Sequence, residues 1–351
     1  MGKKRSVVLA RSPESLEIVS FGRRVSGAPF SREQVSQIAR TVRRVPEVMV
    51  KVSGGGREAG AVQAHFTYMG RQGTLEIETD DGRLLMGKGA ARELVEDWDL
   101  DLSAGPYLKG RALKEHTPPK RAKDAHNIVL SMPSATPPDK LLAAARGFAQ
   151  NQFGGRHRYA MVLHTDQKHP HVHLVVKAKS EQGERLYIRK ATLREWREDF
   201  AKELRARGVA ANASTRAVRG QTRTSKKTPI HRAAMRGEST FMERLARNVG
   251  NEIRVGKLRP EPGKADLVSA RARTIAEWEQ TAKGLEGQGE KKLAAEVREH
   301  IKLMPPPYTD REWVAAGILT QMLKRDGQGR EPLPRRTPEK GIDRDPPEQS
   351  R

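Results

Sequence analysis

Residues 164–173 read His164-Thr-Asp-Gln-Lys-His-Pro-His-Val-His173 and hold four of the ten histidines of the chain. Apolar runs flank this stretch at 159–163 and 172–176, and the pattern predicts the two strands of a buried β-hairpin. Residues two apart in a strand face the same side, so His171 and His173 project together. His164 ends the neighbouring strand and can converge on them. The spacing therefore predicts that these three imidazoles bind a divalent metal ion.

Two other interpretations of the histidine stretch are a surface loop with incidental histidines and core histidines satisfied by hydrogen bonds. Four histidines at pairing positions in so short a run favour the metal site. The chain has no cysteine, which excludes disulfides and thiolate ligands and leaves histidine and carboxylate as the strong ligands. Asp166 lies on the turn, where it could orient a ligand imidazole or accept a proton.

The charge of the chain indicates its partner. A formal net charge of +23 attracts polyanions, and nucleic acid is the leading interpretation, with a membrane surface as the competing one. No apolar run approaches the roughly 20 residues of a spanning helix, and no secretory apolar segment follows Met1. We therefore expect a soluble, cytoplasmic protein without membrane insertion.

Composition and periodicity divide the 351 residues into a central domain with flanking segments. Only 36% of the residues are hydrophobic, so part of the chain is expected to be extended or disordered. The predicted segments are a basic arm with a short helix at 1–44, a central domain at 45–210, a basic linker at 211–264, a helical region at 265–326 and a disordered tail at 327–351.

A helix is predicted from Glu58 to Gly70, with Val62, Phe66 and Met69 as its buried stripe. Tyr68 lies off that stripe, so its ring is expected to emerge at the carboxyl end of the helix.

The nucleophile of a nucleic-acid enzyme built on this metal site could be metal-bound water or a side-chain hydroxyl. Of the five tyrosines, Tyr68 alone combines expected exposure, a helical support and nearby glycines. A tyrosine hydroxyl is protonated at neutral pH, so attack would require a base or a nearby metal ion.

Three motifs resemble those of conjugative relaxases, the mobilisation nucleases of the HUH endonuclease superfamily. The segment His65-Phe-Thr-Tyr68-Met-Gly-Arg71-x-Gly73 is similar to their first motif. Ser131-x-Pro-x-x-Thr136 is similar to the second, and 164–173 to the third. The motifs occur in family order over roughly 45–210, and the resemblance is strongest to the P-type branch that includes the Ti-plasmid border endonuclease. The family's third motif often has an asparagine after its last histidine, where this chain has Lys177 and Lys179.

The resemblance implies an α+β fold, with an antiparallel five-stranded sheet flanked by helices and a helical, partly disordered basic region after it. It implies that Tyr68 attacks a phosphodiester at a plasmid or integrative-element transfer origin and forms a 5′-phosphotyrosyl link. Contacts to DNA would come from Arg71, Ser131 and Thr136. Magnesium or manganese is the implied metal, although three imidazoles also suit zinc.

The implied partners are the single-stranded transfer origin, accessory relaxosome proteins and a type IV coupling protein, with export of the protein alongside DNA into a recipient cell. Three alternatives stay open: a rolling-circle replication initiator of the same superfamily, a non-enzymatic DNA-binding accessory protein, and a metallohydrolase that uses water. Relaxases place the tyrosine before the histidine pair, as in this chain, whereas rolling-circle initiators usually place it after.

Overall fold

The computed structural model describes residues 29–100, 122–221, 228–257 and 259–325. Most of the predicted N-terminal arm, most of the basic segment at 105–123 and the whole predicted tail lie outside these residues. The described residues fall into two compact units, one spanning 45–213 and the other combining 29–44 with 214–325. Among the helices in these ranges, none is both long and apolar enough to cross a lipid bilayer.

The first unit contains a six-stranded, fully antiparallel sheet in which neighbouring strands follow the order β1-β4-β6-β5-β2-β3. Its strands are β1 Met49–Gly54, β2 Ile77–Thr79, β3 Leu84–Leu85, β4 Ala125–Ser131, β5 Tyr159–His164 and β6 His171–Lys177. The antiparallel sheet is confirmed, but the count of five strands is wrong.

One edge of the sheet is the short hairpin of β2 and β3. Gly82 has a φ of 84° in the turn between these strands, and Arg83 pairs with Asp81 at 2.8 Å. This turn lets β3 return along β2 for two residue pairs. The pairing of β3 with β2 brings the sheet to six strands.

Side chains of β5 and β6 alternate between the two faces of the sheet. Val172, Leu174 and Val176 pack in a core beneath helices α4 Pro138–Phe153 and α5 Lys190–Ala206. Val162 and Val175 face the opposite side, where helices α2 Ala59–Met69 and α3 Ala90–Asp97 cover the sheet. The odd-numbered residues of β6 share that second face. The three histidines therefore lie on the side that α2 covers.

A tight turn follows α2 and depends on Gly73. This glycine has a φ of 92°, and a Cβ added there would lie 2.4 Å from the carbonyl carbon of Gly87. Neither backbone segment, at Gly73 or at Gly87, can relieve this clash without moving the turn that carries Arg71.

We expect Gly73→Ala to destabilise the first unit by about 3 kcal/mol or more, because a backbone clash adds to the cost of a positive φ. Gly82→Ala is the matched control, since its φ is also positive but no atom lies within 4 Å of the added Cβ; we expect a loss of only about 1 kcal/mol. Denaturant unfolding followed by circular dichroism measures both. Equal losses for the two variants would contradict the clash.

The second unit is helical. Its helices are α1 Arg32–Val42, α6 Thr228–Met235, α7 Thr240–Val255, α8 Lys264–Gly287, α9 Lys291–Lys302 and α10 Asp310–Arg325. Its core lies around Trp278, whose indole N–H donates to the carbonyl of Val218 at 2.8 Å. Helices α6 and α7 lie within 211–264, the range predicted as a basic linker. Helix α7 is capped by Ser239 at its start and by Gly256 in the left-handed conformation at its end.

Candidate active site

The predicted histidine cluster forms at one end of the β5–β6 hairpin. His164 pairs directly with His171 across the two strands, and the ring centroid of His173 lies 4.5 Å from that of His164. Each of these three residues offers a ligand nitrogen, and the three nitrogens lie within 4.8 Å of one another. The relative exposures of these histidines are 1%, 7% and 8%. The hairpin therefore brings three buried imidazoles to one point.

Backbone carbonyls determine the tautomers of two of the histidines. The Nε2 of His164 lies 2.7 Å from the carbonyl oxygen of Met69, and the Nδ1 of His171 lies 3.0 Å from that of His169. A carbonyl oxygen only accepts hydrogen bonds, so each of these nitrogens carries the proton. On His164 that other nitrogen, Nδ1, accepts a hydrogen bond from Nη2 of Arg71 at 3.3 Å, which a bound metal ion would replace. In each ring a backbone carbonyl holds one nitrogen and the other nitrogen keeps a lone pair. This is the arrangement by which proteins orient histidines that bind metal ions.

The electrostatics of the cluster keep its imidazoles neutral at physiological pH. Burial lowers the pKa of His164. Burial, followed by the charges of His164 and His171, lowers the pKa of His173 to about 2. A neutral imidazole is the form that binds a metal ion.

The donor set fits a divalent cation. Three imidazole nitrogens at short mutual distance leave coordination positions for a substrate, as in catalytic metal sites. His169 is buried but lies outside the cluster, and its carbonyl accepts a hydrogen bond from Nδ1 of His171.

Tyr68 lies directly beside this cluster, at the carboxyl end of α2. Its ring centroid is 5.9 Å from that of His173, with the two ring planes near perpendicular at 84°. The ring is half-buried, so it emerges from the helix as the sequence predicted, but toward the histidines. The Tyr68 ring and the three imidazoles thus line the same site.

Arg71 joins the tyrosine to the turn that carries Asp166. Its guanidinium carbon lies 5.2 Å from the centroid of the Tyr68 ring, and its Nη2 lies 2.6 Å from Oδ2 of Asp166. The same Nη2 lies 3.3 Å from Nδ1 of His164. Arg71 has a φ of 49°, a conformation that is costly for a residue with a side chain and is typical of functional sites.

Asp166 interacts with the site through Arg71. Burial acts to raise the pKa of Asp166, but the charge of Arg71 and its hydrogen bond outweigh burial and hold the pKa below its ordinary value. The carboxylate is therefore ionised at neutral pH and is a weak proton acceptor. The sequence allowed Asp166 either to orient a neighbouring side chain or to accept a proton. These contacts favour the first role, and the side chain that Asp166 orients is Arg71.

Two residues expected to contact DNA are buried. Ser131 is 2% exposed and donates its hydroxyl to the carbonyl of Pro170 at 3.1 Å. Thr136 is 8% exposed. Ser131 stands opposite His171 in the β4–β6 register, so the second motif adjoins the cluster. Because both side chains are packed inside, a phosphate meets neither hydroxyl in this structure.

His65 is a site residue whose role the sequence interpretation did not assign. Its ring stacks on Tyr68 with centroids 5.9 Å apart and lies 6.0 Å from the ring of His173. The signal was present, because residues three apart on a helix share a face.

The other described tyrosines have surroundings unlike those of Tyr68. Tyr159 is buried and donates to Gln150, and Tyr308 packs on Trp313 in the second unit. Tyr187 is 73% exposed and lies on a loop.

Comparison with known proteins supports the relaxase resemblance. Residues 102–208 match the family model for the nuclease domain of MobA/VirD2-like relaxases. The T-DNA border endonuclease VirD2 of Agrobacterium fabrum is 27% identical over 190 residues, or 50% of this chain and 41% of that protein. Its counterpart in Rhizobium rhizogenes is 25% identical over 188 residues, or 50% of this chain and 42% of that protein. The chain thus spans about two fifths of the length of these relatives.

One solved structure, from a study of vancomycin resistance transfer in Staphylococcus aureus, aligns with this chain at a TM-score of 0.27 and 14% sequence identity. The alignment covers 49% of this chain and 99% of that chain. A score this low carries no argument about the fold. The sequence matches confirm the resemblance to VirD2-like relaxases that the motifs indicated, and the family match begins after Tyr68.

Proposed function

We propose that this VirD2-like relaxase nicks one strand of DNA at a transfer origin by transesterification through Tyr68. The observation that carries the proposal is the position of the tyrosine, whose ring lies 5.9 Å from His173 of the three-histidine cluster. A water-dependent hydrolase has no need of a tyrosine at this place. The positive charge of the chain, +23, suits a polyanionic substrate.

In the proposed step the Tyr68 oxygen forms a bond to phosphorus while the bond from phosphorus to O3′ breaks. The phenol proton passes to solvent water as the new bond forms, and the leaving O3′ takes up a proton from solvent water to become a free 3′-hydroxyl. One phosphodiester replaces another, so the reverse reaction can rejoin the strand. A divalent cation held by His164, His171 and His173 would act as a Lewis acid on a phosphate oxygen. Magnesium and manganese are our first expectation for this cation, with zinc as the alternative.

Arg71 supplies positive charge where negative charge develops. Its guanidinium lies over the Tyr68 ring and can stabilise both the phenolate and the phosphate oxygens in the transition state. Asp166 holds the guanidinium in this place through the contact at 2.6 Å. Burial keeps the imidazoles of His164 and His173 neutral, so they stay competent as ligands.

The wider proposals follow from the resemblance. The fold around the histidines is that of an HUH palm, and the covalent complex is the substrate of conjugation, delivered with accessory relaxosome proteins to a type IV coupling protein and secretion channel. Nicking takes place in the bacterial cytoplasm before export. The first unit, spanning 45–213, is the nuclease.

Replacing Arg71 tests its role. We expect Arg71→Ala to lower the rate of strand cleavage by about 10²–10³-fold, the loss typical when one charge-stabilising donor is removed. Arg83→Ala is the matched control, because Arg83 pairs with Asp81 on the β2–β3 turn and should leave the rate unchanged. Single-turnover cleavage of a labelled oligonucleotide measures both. An unchanged rate in Arg71→Ala would exclude Arg71 from the chemistry.

The activity itself can be tested with a supercoiled plasmid that carries the DNA flanking this gene. Incubation with Mg²⁺ or Mn²⁺ should convert it to the nicked form, with a protein–DNA band on a denaturing gel. Free 5′-phosphate ends without such a band would indicate a water-dependent hydrolase. Binding without nicking would indicate an accessory DNA-binding protein.

A further inference from the structure

Two buried ring nitrogens at the site have no hydrogen-bond partner: Nε2 of His65 and Nδ1 of His173. They belong to neighbouring rings, whose centroids are 6.0 Å apart and whose planes meet at 64°. A buried polar atom without a partner is costly, and each such atom in a folded protein calls for an explanation.

The three ligand histidines differ in how their second nitrogens are held. His164 donates to the carbonyl of Met69, and His171 donates to the carbonyl of His169. If His173 binds a metal ion through one nitrogen, its other nitrogen carries a proton and needs an acceptor. Histidines that bind metal ions almost always donate this proton to a neighbouring group, which orients the ring and raises its basicity.

His65 can be that acceptor. Its Nε2 is buried and has no other hydrogen-bond partner, and its ring lies next to that of His173. The 6.0 Å between the two rings exceeds the separation of a hydrogen-bonded imidazole pair by less than about 1 Å. A small rotation of either ring closes that gap.

We propose that His65 is a positioning residue for the metal centre, accepting a hydrogen bond from the N–H of His173 that faces away from the metal. The inference rests on the proposed metal site and names a residue that supports it. His65 is not a fourth ligand, because the nitrogens that lie within 4.8 Å of one another belong to His164, His171 and His173.

This hydrogen bond is a second contact between α2 and the ligand histidines, after the one from His164 to the carbonyl of Met69. The same helix carries Tyr68 and ends at Met69, whose carbonyl orients His164. With His65 holding His173, two of the three ligands take their orientation from the helix that carries the nucleophile. The position of the tyrosine and the geometry of the metal centre are thereby coupled.

The test measures Mn²⁺ affinity of the full chain by isothermal titration calorimetry. We expect His65→Phe, which keeps an aromatic ring and loses the acceptor, to weaken binding by about 10–100-fold, the usual loss for such a partner. His65→Gln restores an acceptor at about the reach of Nε2 and should recover most of the affinity. His126→Phe is the matched control, since His126 lies on β4 outside the cluster, and should bind Mn²⁺ as the wild type does.

A second measurement on the wild type keeps the proposal testable if His65→Phe does not fold. In the Mg²⁺-loaded protein, nitrogen-15 NMR should show a hydrogen-bonded imidazole N–H on His173, slow to exchange with water, and His65→Gln should retain it. Wild-type Mn²⁺ binding together with undiminished binding in His65→Phe would overturn the role of His65 alone, as would an unbonded His173 N–H. No metal binding by the wild type would overturn the proposed metal centre and this inference with it.

Discussion

Tyr68→Phe is expected to abolish nicking of a supercoiled plasmid that carries the cognate origin, with a loss on the order of 10³-fold or more, as when other enzymes lose their nucleophile. The substitution removes one oxygen and keeps the ring that contacts His173 and His65. Folding and binding of single-stranded DNA should therefore survive. A nicking assay, with fluorescence anisotropy for binding, separates the two effects.

Tyr187→Phe is the control for this variant. Tyr187 is highly exposed, lies in the same unit and is not a member of the histidine cluster. It should nick at the wild-type rate. Residual nicking by Tyr68→Phe at more than a few per cent of the wild-type rate would remove Tyr68 from the role of nucleophile.

His171→Ala is expected to produce the second large effect, a loss of more than about 100-fold in Mn²⁺ affinity, since changing even a group that only orients a ligand costs 10–100-fold. Nicking should fall with it. Calorimetry measures the affinity, and chelation by EDTA should stop the wild-type enzyme until Mg²⁺ or Mn²⁺ is restored.

His157→Ala provides the comparison. His157 lies in the same unit and its Nδ1 contacts the carbonyl of Lys177 at 2.9 Å, at the end of β6 opposite to His171. Its loss should change neither metal affinity nor nicking. Full activity under exhaustive chelation, or unchanged affinity in His171→Ala, would refute the metal site.

Local pattern was sufficient to predict the centre of the site. The alternation of residues along 171–176, together with the apolar run before His164, placed three histidines on one face of a hairpin, and the register of His164 with His171 confirms this. The angular offset of Tyr68 from the buried stripe of its helix likewise indicated an emerging ring. Both depend on contacts close in sequence, where helix and strand periodicity are informative.

The rest of the site depends on contacts between distant segments. Arg71 reaches Asp166 because the chain takes a left-handed turn after α2, and no periodicity predicts a positive φ in an arginine. The packing of α2 on the histidine face brings His65 to His173, and this depends on tertiary structure. Ser131 was expected to contact DNA because of a motif resemblance. A motif contains no information about the hydrogen bond from its hydroxyl to the carbonyl of Pro170.

The organisation beyond the nuclease unit was also only partly predicted. The composition of 211–264 is basic and suggested a linker, yet α6 and α7 form within it. The cap residues Ser239 and Gly256 indicate one of these helices in retrospect. Net charge indicates the sign of the electrostatic potential at a surface. It does not determine whether the backbone is helical.

The central claim is a covalent bond between Tyr68 and DNA, and mass mapping tests it most directly. The protein is incubated with an origin oligonucleotide and Mg²⁺ or Mn²⁺, then digested with trypsin and nuclease. Trypsin cleaves after Arg57 and Arg71, and the peptide between them contains Tyr68 as its single tyrosine. We expect a 5′-linked nucleotide on that peptide. A nucleotide on any other peptide, or cleaved DNA with no linked peptide, would contradict the claim.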